Sequence, residues 1–252
     1  MKYIVIIPAR YKSSRFPGKP LAKIGGEEMI VRVCRQVAKT GIESVVATDD
    51  ERIFECVEKA GFKAVMTRAD HRSGTDRVAE AYRLVGSDAD VVINVQGDEP
   101  FIQPEQILKV KEIFESKQEA ELATLVKRFD PTKGFDALFD PNLVKVVFDD
   151  KMSALYFSRS IIPYVRRTDW RNWLKEAVYY THIGIYGYRA ETLSDIVELP
   201  ESSLEKAESL EQLRWLQNGK KIDVALTEFS TIGIDTPADL EAAEKYLAEI
   251  EK

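Results

Sequence analysis

Short apolar runs alternate with amphipathic stretches along the first hundred residues. Residues 3–7 read as a buried strand that Pro8 closes, since proline has no backbone donor to continue the pairing. Ile30, Val33, Cys34 and Val37 recur at helical spacing, and Gly41 ends that helix. Residues 44–47 form the next strand, and Asp49 or Asp50 caps a helix that reaches about Ala60, just before Gly61. A short strand at 63–66, a helix at 76–85 and the very apolar strand 91–95 follow. That last run is hydrophobic on both faces, as a central parallel strand is. The order β-α-β-α-β-α-β predicts an α/β fold, a doubly wound and mostly parallel sheet with right-handed crossovers.

The pattern loosens after residue 104. A helix is expected at 104–115 and strands at 122–126, 143–148 and 152–157, with Asp149-Asp150-Lys151 as a tight turn between the last two. Residues 158–178 are irregular, aromatic and arginine-rich. Tyr164, Trp170, Trp173, Tyr179 and Tyr180 are too many large rings for a solvated loop, so this region packs either on the sheet or on a second copy of the chain; we read the second. Ser202-x-x-Glu205 is a capping box that opens one helix running to Gly219, and Thr236-Pro237 opens the last helix with a cap and a proline in its first turn. No repeat or low-complexity linker interrupts the chain. The expectation is a single domain over residues 1–252, with a smaller mixed β and irregular dimerisation or insert region at about 150–180.

Charge changes the picture at one place. The 252 residues carry 36 Lys and Arg against 42 Asp and Glu, a net charge of −6, yet residues 1–26 hold Lys2, Arg10, Lys12, Arg15, Lys19 and Lys23 with no carboxylate. The acidic remainder repels nucleic acid and anionic membranes, while the basic start forms a local trap for a small phosphorylated ligand. No nucleic acid or membrane partner is expected. Arg10 follows too soon on the first strand for a signal peptide, and no run reaches the roughly 20 apolar residues of a membrane span, which predicts a soluble, cytoplasmic protein. Cys34 and Cys56 fall within helical patterns and read as reduced packing residues.

The basic residues cluster in a segment rich in small residues and proline, Ile7 through Leu21. Gly18, between Pro17 and Pro20, supplies a bend whose backbone N–H groups could approach an oxyanion, with Lys19 at its end. The alternative is a flexible loop whose lysines face water. Its position after the first strand of an α/β sheet favours the phosphate reading, because such folds place ligands at the carboxyl ends of their strands. It is not a P-loop, since Pro20 stands where a magnesium-binding hydroxyl belongs, and no Gly-x-Gly-x-x-Gly follows the strand. A second constellation, Gln96-Gly97-Asp98-Glu99-Pro100, ends the strand at 91–95. Gly97 allows a sharp turn, and Asp98 beside a triphosphate is a natural magnesium ligand. Asp235, just before the last helix, is a candidate second carboxylate or else a residue serving the helix dipole.

Further ligand contacts are suggested elsewhere. The stretch from Arg68 to Arg77 joins a strand to a helix with three arginines, hydroxyls and a glycine, fit for a polar ligand or simply an ordinary capped loop. On a continuous helix after Ser202, Glu211 shares a stripe with Leu204, Ala207 and Trp215, and a carboxylate there needs an arginine or ligand hydroxyls. His182, with Tyr186 four residues on, faces the same space or is a structural histidine.

Six segments in order, IIPARYKSSRFPGKPL, HRSGTDR, NVQGDEP, HIGIYGY, SLEQLRWL and IGIDTPADL, resemble the 3-deoxy-manno-octulosonate cytidylyltransferases, also called CMP-KDO synthetases. The resemblance runs from residue 6 to residue 240. It implies a nucleotide-diphospho-sugar transferase-like, Rossmann-like fold and a dimeric enzyme that moves CMP from CTP to 3-deoxy-D-manno-octulosonate (KDO), releasing pyrophosphate, for lipopolysaccharide biosynthesis. By motif it implies that Arg10, Ser13, Arg15 and Lys19 bind the CTP phosphates, with Ala9, Arg72, Ser73, Gly74 and Asp76 near the nucleotide. Asp98 and Asp235 would hold Mg2+, and Gln96, His182, Tyr186, Glu211 and Gln212 would line the sugar site. Catalysis would rest on Arg15, Lys19, Asp98 and Asp235. Two other functions keep the same loop: a nucleotidylyltransferase for another acidic or amino-substituted sugar, and a CTP-binding protein without catalysis.

Overall fold

A computed structural model, which describes residues 1–13 and 15–250, places strand β1 at Tyr3–Ala9 and a small hairpin, β2 Lys23–Ile24 and β3 Glu27–Glu28, ahead of helix α1 at Met29–Ala38. Then come β4 Glu43–Thr48, α2 Glu51–Lys59, β5 Ala64–Met66, α3 Gly74–Leu84, β6 Val91–Asn94 and α4 Pro104–Ser116. The second half adds β7 Leu122–Arg128, α5 Gly134–Phe139, β8 Lys145–Phe148, β9 Ala154–Ser158, α6 Trp173–Glu176 and β10 Tyr180–Arg189. Helices α7 Ala190–Val197, α8 Ser203–Glu208 and α9 Gln212–Gln217, strand β11 Ile222–Leu226 and helix α10 Pro237–Ile250 finish it.

The main sheet runs β11-β7-β10-β6-β1-β4-β5. The pairs β1–β4, β1–β6, β4–β5 and β7–β11 are parallel, as expected, while β10 is antiparallel to both β6 and β7. The carboxyl ends of β1, β6 and β7 therefore share one edge with the amino end of β10, and that edge is where an open α/β sheet binds ligands. The β8–β9 hairpin, turning at Asp149 to Met152, branches from the amino end of β10 through Lys145 and Thr181.

Two cores cover the two faces. One joins Val5 and Ile7 to Val33, Val37, Val110 and Phe114, and the other joins Ile4 and Ile6 to Val78, Leu193, Leu213 and Trp215. Cys34 is buried in the first, where lack of water pushes its thiol up to about 12, and Cys56 is a second free cysteine.

Two local expectations change. Strand β1 continues through Pro8 to Ala9. Ile6 faces β6 and accepts from Val95 N–H at 3.2 Å, so Pro8 faces the same side beyond the end of β6, and its missing donor leaves no ladder bond unmade. The helix expected from Ser202 to Gly219 breaks into α8 and α9, because Ser209 takes a left-handed backbone with φ of 50°. The aromatic stretch packs largely on its own chain: Trp173 and Tyr179 join Phe129 and Leu138 in a satellite core, with Phe135 against Trp170 and Trp173. Tyr164 remains 74% exposed.

Gly187 on β10 decides how closely α4 approaches the sheet. A Cβ at this position would lie 2.5 Å from Phe114 Cε2 and 2.7 Å from Val110 Cγ1, and both side chains are fully buried. We expect Gly187→Ala to cost roughly 1–3 kcal/mol, the usual range for overpacking, and to lower the melting temperature by several degrees. An unchanged melt would mean that α4 is free to shift.

Candidate active site

The basic bend is tied down at both ends. Gly18 has φ of 73° and opens a single 3-10 turn, Lys19–Leu21, with Pro20 buried beneath it. Gly18 N–H donates to the Tyr11 carbonyl at 2.9 Å, Lys19 N–H to Phe16 carbonyl at 3.3 Å, and Phe16 N–H to Ser13 Oγ at 3.2 Å. These amides are spent within the bend. The amides of Gly18 and Lys19, which the sequence seemed to offer to an oxyanion, are therefore occupied, while the side chains of Arg15 and Lys19 line the adjoining cleft. A Cβ on Gly18 would lie 3.0 Å from the Tyr11 ring. The Arg52 guanidinium lies 3.5 Å from that ring's centroid and is itself held by the Asp50 carboxylate, which caps α2.

Two carboxylates reach the bend. Gln96-Gly97-Asp98 leaves the end of β6, where a Cβ on Gly97 would come within 2.8 Å of the Pro8 carbonyl oxygen and 3.3 Å of Ala9 Cβ. The close approach of two strand ends requires this glycine; the positive φ of a tight turn is not involved. Ile234 N–H donates to the Asp98 carbonyl at 3.0 Å, and Ile234 is fully buried with Ile24, Met29, Phe101 and Leu247 in a small core that docks α10. Asp239 accepts from the N–H groups of Asp235 and Thr236 at 3.0 and 2.8 Å, fixing the start of that helix. The result is a meeting of three distant segments. Lys19 Nζ lies 2.6 Å from Asp98 Oδ2 and 3.1 Å from Asp235 Oδ1, and Arg15 Nη2 lies 3.2 Å from Asp235 Oδ2.

Around this triad lies a cleft of about 240 Å³, lined by Ala9, Arg10, Ser13, Arg15, Lys19, Arg72, Ser73, Gly74, Gln96, Asp98 and Asp235. Asp76 is the one member of the expected nucleotide set that does not line it. Its carboxylate completes a capping box with Ser73 and lies 3.6 Å from Arg72 Nε, so it supports the two residues that do. His71 and Arg77 also line the cleft and were not singled out by sequence. Arg77 is buried, donating to Thr67 Oγ1 at 2.6 Å and Asp49 Oδ2 at 3.0 Å. Its place as the last of three arginines in one loop was visible, but that it turns inward while Arg68 pairs outward with Asp70 was not.

Of the expected sugar residues only Gln96 lines this cleft; His182 lines a separate cavity, and Tyr186, Glu211 and Gln212 line neither. The rings of His182 and Tyr186 lie 5.2 Å apart, and Tyr186 meets Trp215 edge-on at 5.1 Å. Glu211 stands just before α9 and accepts from Thr75 Oγ1 at 2.8 Å, one residue from the cleft-lining Gly74. The stripe of a continuous helix is not what places it, since Ala207 is exposed and the break at Ser209 intervenes. Burial raises the Glu211 carboxyl, with the Thr75 hydrogen bond opposing. The Tyr186 hydroxyl, Gln212 Nε2 and Trp215 Nε1 are buried without a hydrogen-bond partner among the described residues. Such groups are costly unless water or a polar ligand reaches them. Gln96, on the cleft side, donates to Asn94 Oδ1 at 3.3 Å.

His182 Nε2 lies 3.0 Å from Thr124 Oγ1, which also lies 2.7 Å from the Ile185 carbonyl and 3.2 Å from the Ile183 carbonyl. Burial pushes the ring's pKa down to about 3, which keeps it neutral.

As a whole the chain is similar to known proteins. A model of the cytidylyltransferase family matches residues 4–222. A 3-deoxy-manno-octulosonate cytidylyltransferase from Bacteroides thetaiotaomicron is 56% identical over 98% of both chains. A solved CMP:2-keto-3-deoxy-manno-octonic acid synthetase, complexed with CTP, superposes with a TM-score of 0.90 at 42% identity, covering 99% of this chain and 100% of that one. A 4-diphosphocytidyl-2C-methyl-D-erythritol synthase from Anaerococcus prevotii, 16% identical with a TM-score of 0.62 over 98% of this chain and 99% of that one, shares the fold alone.

The neutral His182 has a consequence for acid stability. The unfolded chain protonates its histidine below about 6.5, whereas the folded chain holds off until about 3, so stability is present above the unfolded pKa and falls as pH drops below it. Between pH 6.5 and 5 that loss is about 2 kcal/mol. Denaturant titrations at pH 7.5 and 5 should show a smaller decline for His182→Gln than for the unaltered chain. Parallel declines would remove His182 as the source.

Proposed function

Because the chain belongs to the 3-deoxy-manno-octulosonate cytidylyltransferase family, we propose that it transfers CMP from CTP to KDO and releases pyrophosphate. The single observation that carries the reading to these residues is the convergence of Lys19, Asp98 and Asp235 at the mouth of a cleft walled by arginines. In this reading Arg10, Ser13, Arg15 and Lys19 hold the triphosphate, Ala9, Arg72, Ser73 and Gly74 the rest of the nucleotide, and Asp76 steadies Arg72. Glu211, Gln212, Tyr186, His182 and Gln96 receive the sugar, and the unpartnered amide of Gln212 and hydroxyl of Tyr186 suit a ligand rich in oxygen.

The sugar hydroxyl attacks the α-phosphorus as the bond to pyrophosphate breaks, without a covalent enzyme intermediate. Negative charge grows on the leaving group, so cations fixed in advance lower the barrier, and orientation of the two substrates supplies most of the remainder. Arg15 and Lys19 stand where that charge would develop. Asp98 and Asp235 also fit a divalent ion, since both already reach the same cation, Lys19, and magnesium takes one or two carboxylates together with phosphate oxygens. No group of three His, Cys, Asp or Glu gathers among the described residues, so the remaining ligands of such an ion would come from substrate and water. The chemistry magnesium supplies when bound there is neutralisation of phosphate charge and a lower pKa for the attacking hydroxyl.

The product is an activated sugar of the kind used in lipopolysaccharide assembly. Among the described residues no helix is long and apolar enough to cross a membrane, and we place the reaction in the cytoplasm, where CTP is made. We also read the chain as a homodimer whose contact uses the exposed rings of Tyr164 and Trp170.

Incubated with CTP, Mg2+ and KDO, the purified protein should release pyrophosphate, and other acidic or amino-substituted sugars should release far less. Release with another such sugar and none with KDO would overturn the substrate. Asp98→Asn should lower kcat by roughly 10²-fold or more, the scale on which such electrostatic groups act, while melting as the unaltered protein does. Near-native turnover would remove Asp98 from the chemistry.

A further inference from the structure

The Lys19 ammonium and a divalent cation compete for the same two oxygens. Nζ lies 2.6 Å from Asp98 Oδ2 and 3.1 Å from Asp235 Oδ1, and only 12% of the lysine side chain is exposed. Magnesium sits about 2.0–2.1 Å from each carboxylate oxygen it binds. An ion on this pair would therefore stand close enough to Nζ for strong repulsion, and one of the two must leave. Arg15 cannot take over the lysine's task. It reaches Asp235 alone, at 3.2 Å, through a side chain that is 64% exposed.

The lysine has another place to go. Arg10, Ser13 and Arg15 line the same cleft, so a triphosphate held by them brings anionic oxygens within the sweep of a flexible four-carbon stem. Resting on the reading of the site given above, we infer that Lys19 is a placeholder cation. It neutralises Asp98 and Asp235 and keeps them together, then yields them to a divalent ion when a triphosphate draws its ammonium away. Metal and nucleotide binding are thereby coupled through one side chain. Coupling of this kind is reciprocal: whatever factor the nucleotide adds to metal affinity, the metal adds to nucleotide affinity. The arrangement also guards the pair against stray cations, because a metal arriving alone must first displace a short ion pair whose lysine is largely covered.

The test uses Mn2+ alone as the probe, followed by electron paramagnetic resonance without nucleotide, so that its readout is independent of turnover. Lys19→Met keeps the stem and removes the charge. We expect this variant to bind Mn2+ on the order of 10-fold more tightly than the unaltered chain, within the usual range for coupled sites, and the added Asp98→Asn substitution to erase the gain. Equal or weaker Mn2+ binding by Lys19→Met, with Asp98→Asn still abolishing it, would overturn the placeholder and leave the two-carboxylate site standing. Mn2+ binding indifferent to Asp98→Asn in both backgrounds would overturn the metal reading itself. Melting curves establish that the variants fold, and Lys19→Gln supplies the same comparison if the methionine variant does not.

Discussion

Two carboxylates and one ammonium meet where three segments far apart in the chain come together, and the rest of the site is arranged to make that meeting possible. Asp98 leaves the end of β6, Asp235 precedes α10, and Lys19 follows the glycine bend after β1. Two like charges brought this close repel unless a cation stands between them. A site of the kind proposed, for polyphosphate and metal, must concentrate both signs of charge in a small space. Here Lys19 stands between the two acids.

Packing and backbone contacts supply the precision. Gly97 lets the turn after β6 come against the Pro8 carbonyl, which sets the separation between the acidic turn and the basic bend. The hydrogen bond from Ile234 N–H to the Asp98 carbonyl links the two acid-bearing loops, and the small core around Ile234 and Leu247 anchors that link through α10. A similar device holds the bend. Asp50 fixes Arg52, Arg52 stacks on Tyr11, and Tyr11 closes the loop through the Gly18 N–H. Charged side chains at a half-exposed edge are thus positioned by backbone hydrogen bonds and apolar packing, with the Asp50–Arg52 pair bracing the bend from outside.

Much of this was legible in the sequence because it lies in periodicity and in unusual residue pairings. The strands and helices of the first half stand out by their apolar spacing, and the acid-free stretch of residues 1–26 marks the bend without any structure. Less legible was everything that depends on which neighbour a segment meets. Pro8 looked like a strand end, yet it is harmless where β6 has already stopped. Ser202 to Gly219 had the spacing of one helix, and nothing in its pattern discloses that Ser209 adopts a left-handed backbone, a conformation Arg159 supports by donating to the Glu208 and Ser209 carbonyls at 2.6 and 3.2 Å. The amides of Gly18 and Lys19 looked free for phosphate because their partners, Tyr11 and Phe16, lie in the same loop and leave no periodic trace. Likewise, that Asp98 and Asp235 meet is a fact of sheet topology and α10 docking.

The two halves of the site differ in the physics they rely on. On the side proposed for the nucleotide the groups are charged and partly open to water, so their attraction for an anion is long in range and sensitive to salt. On the side proposed for the sugar burial keeps His182 neutral and raises Glu211, while the hydroxyl of Tyr186 and the amide of Gln212 have no partner among the described residues. Groups of that kind attract little from a distance but discriminate strongly at contact, because a ligand lacking the matching hydroxyl leaves them buried and unsatisfied. In the proposed reading, affinity for the nucleotide and selectivity for the sugar therefore fall to different groups of residues. The seam between them runs along the start of α3, where Ser73 and Gly74 line the cleft and Thr75, the next residue, holds Glu211.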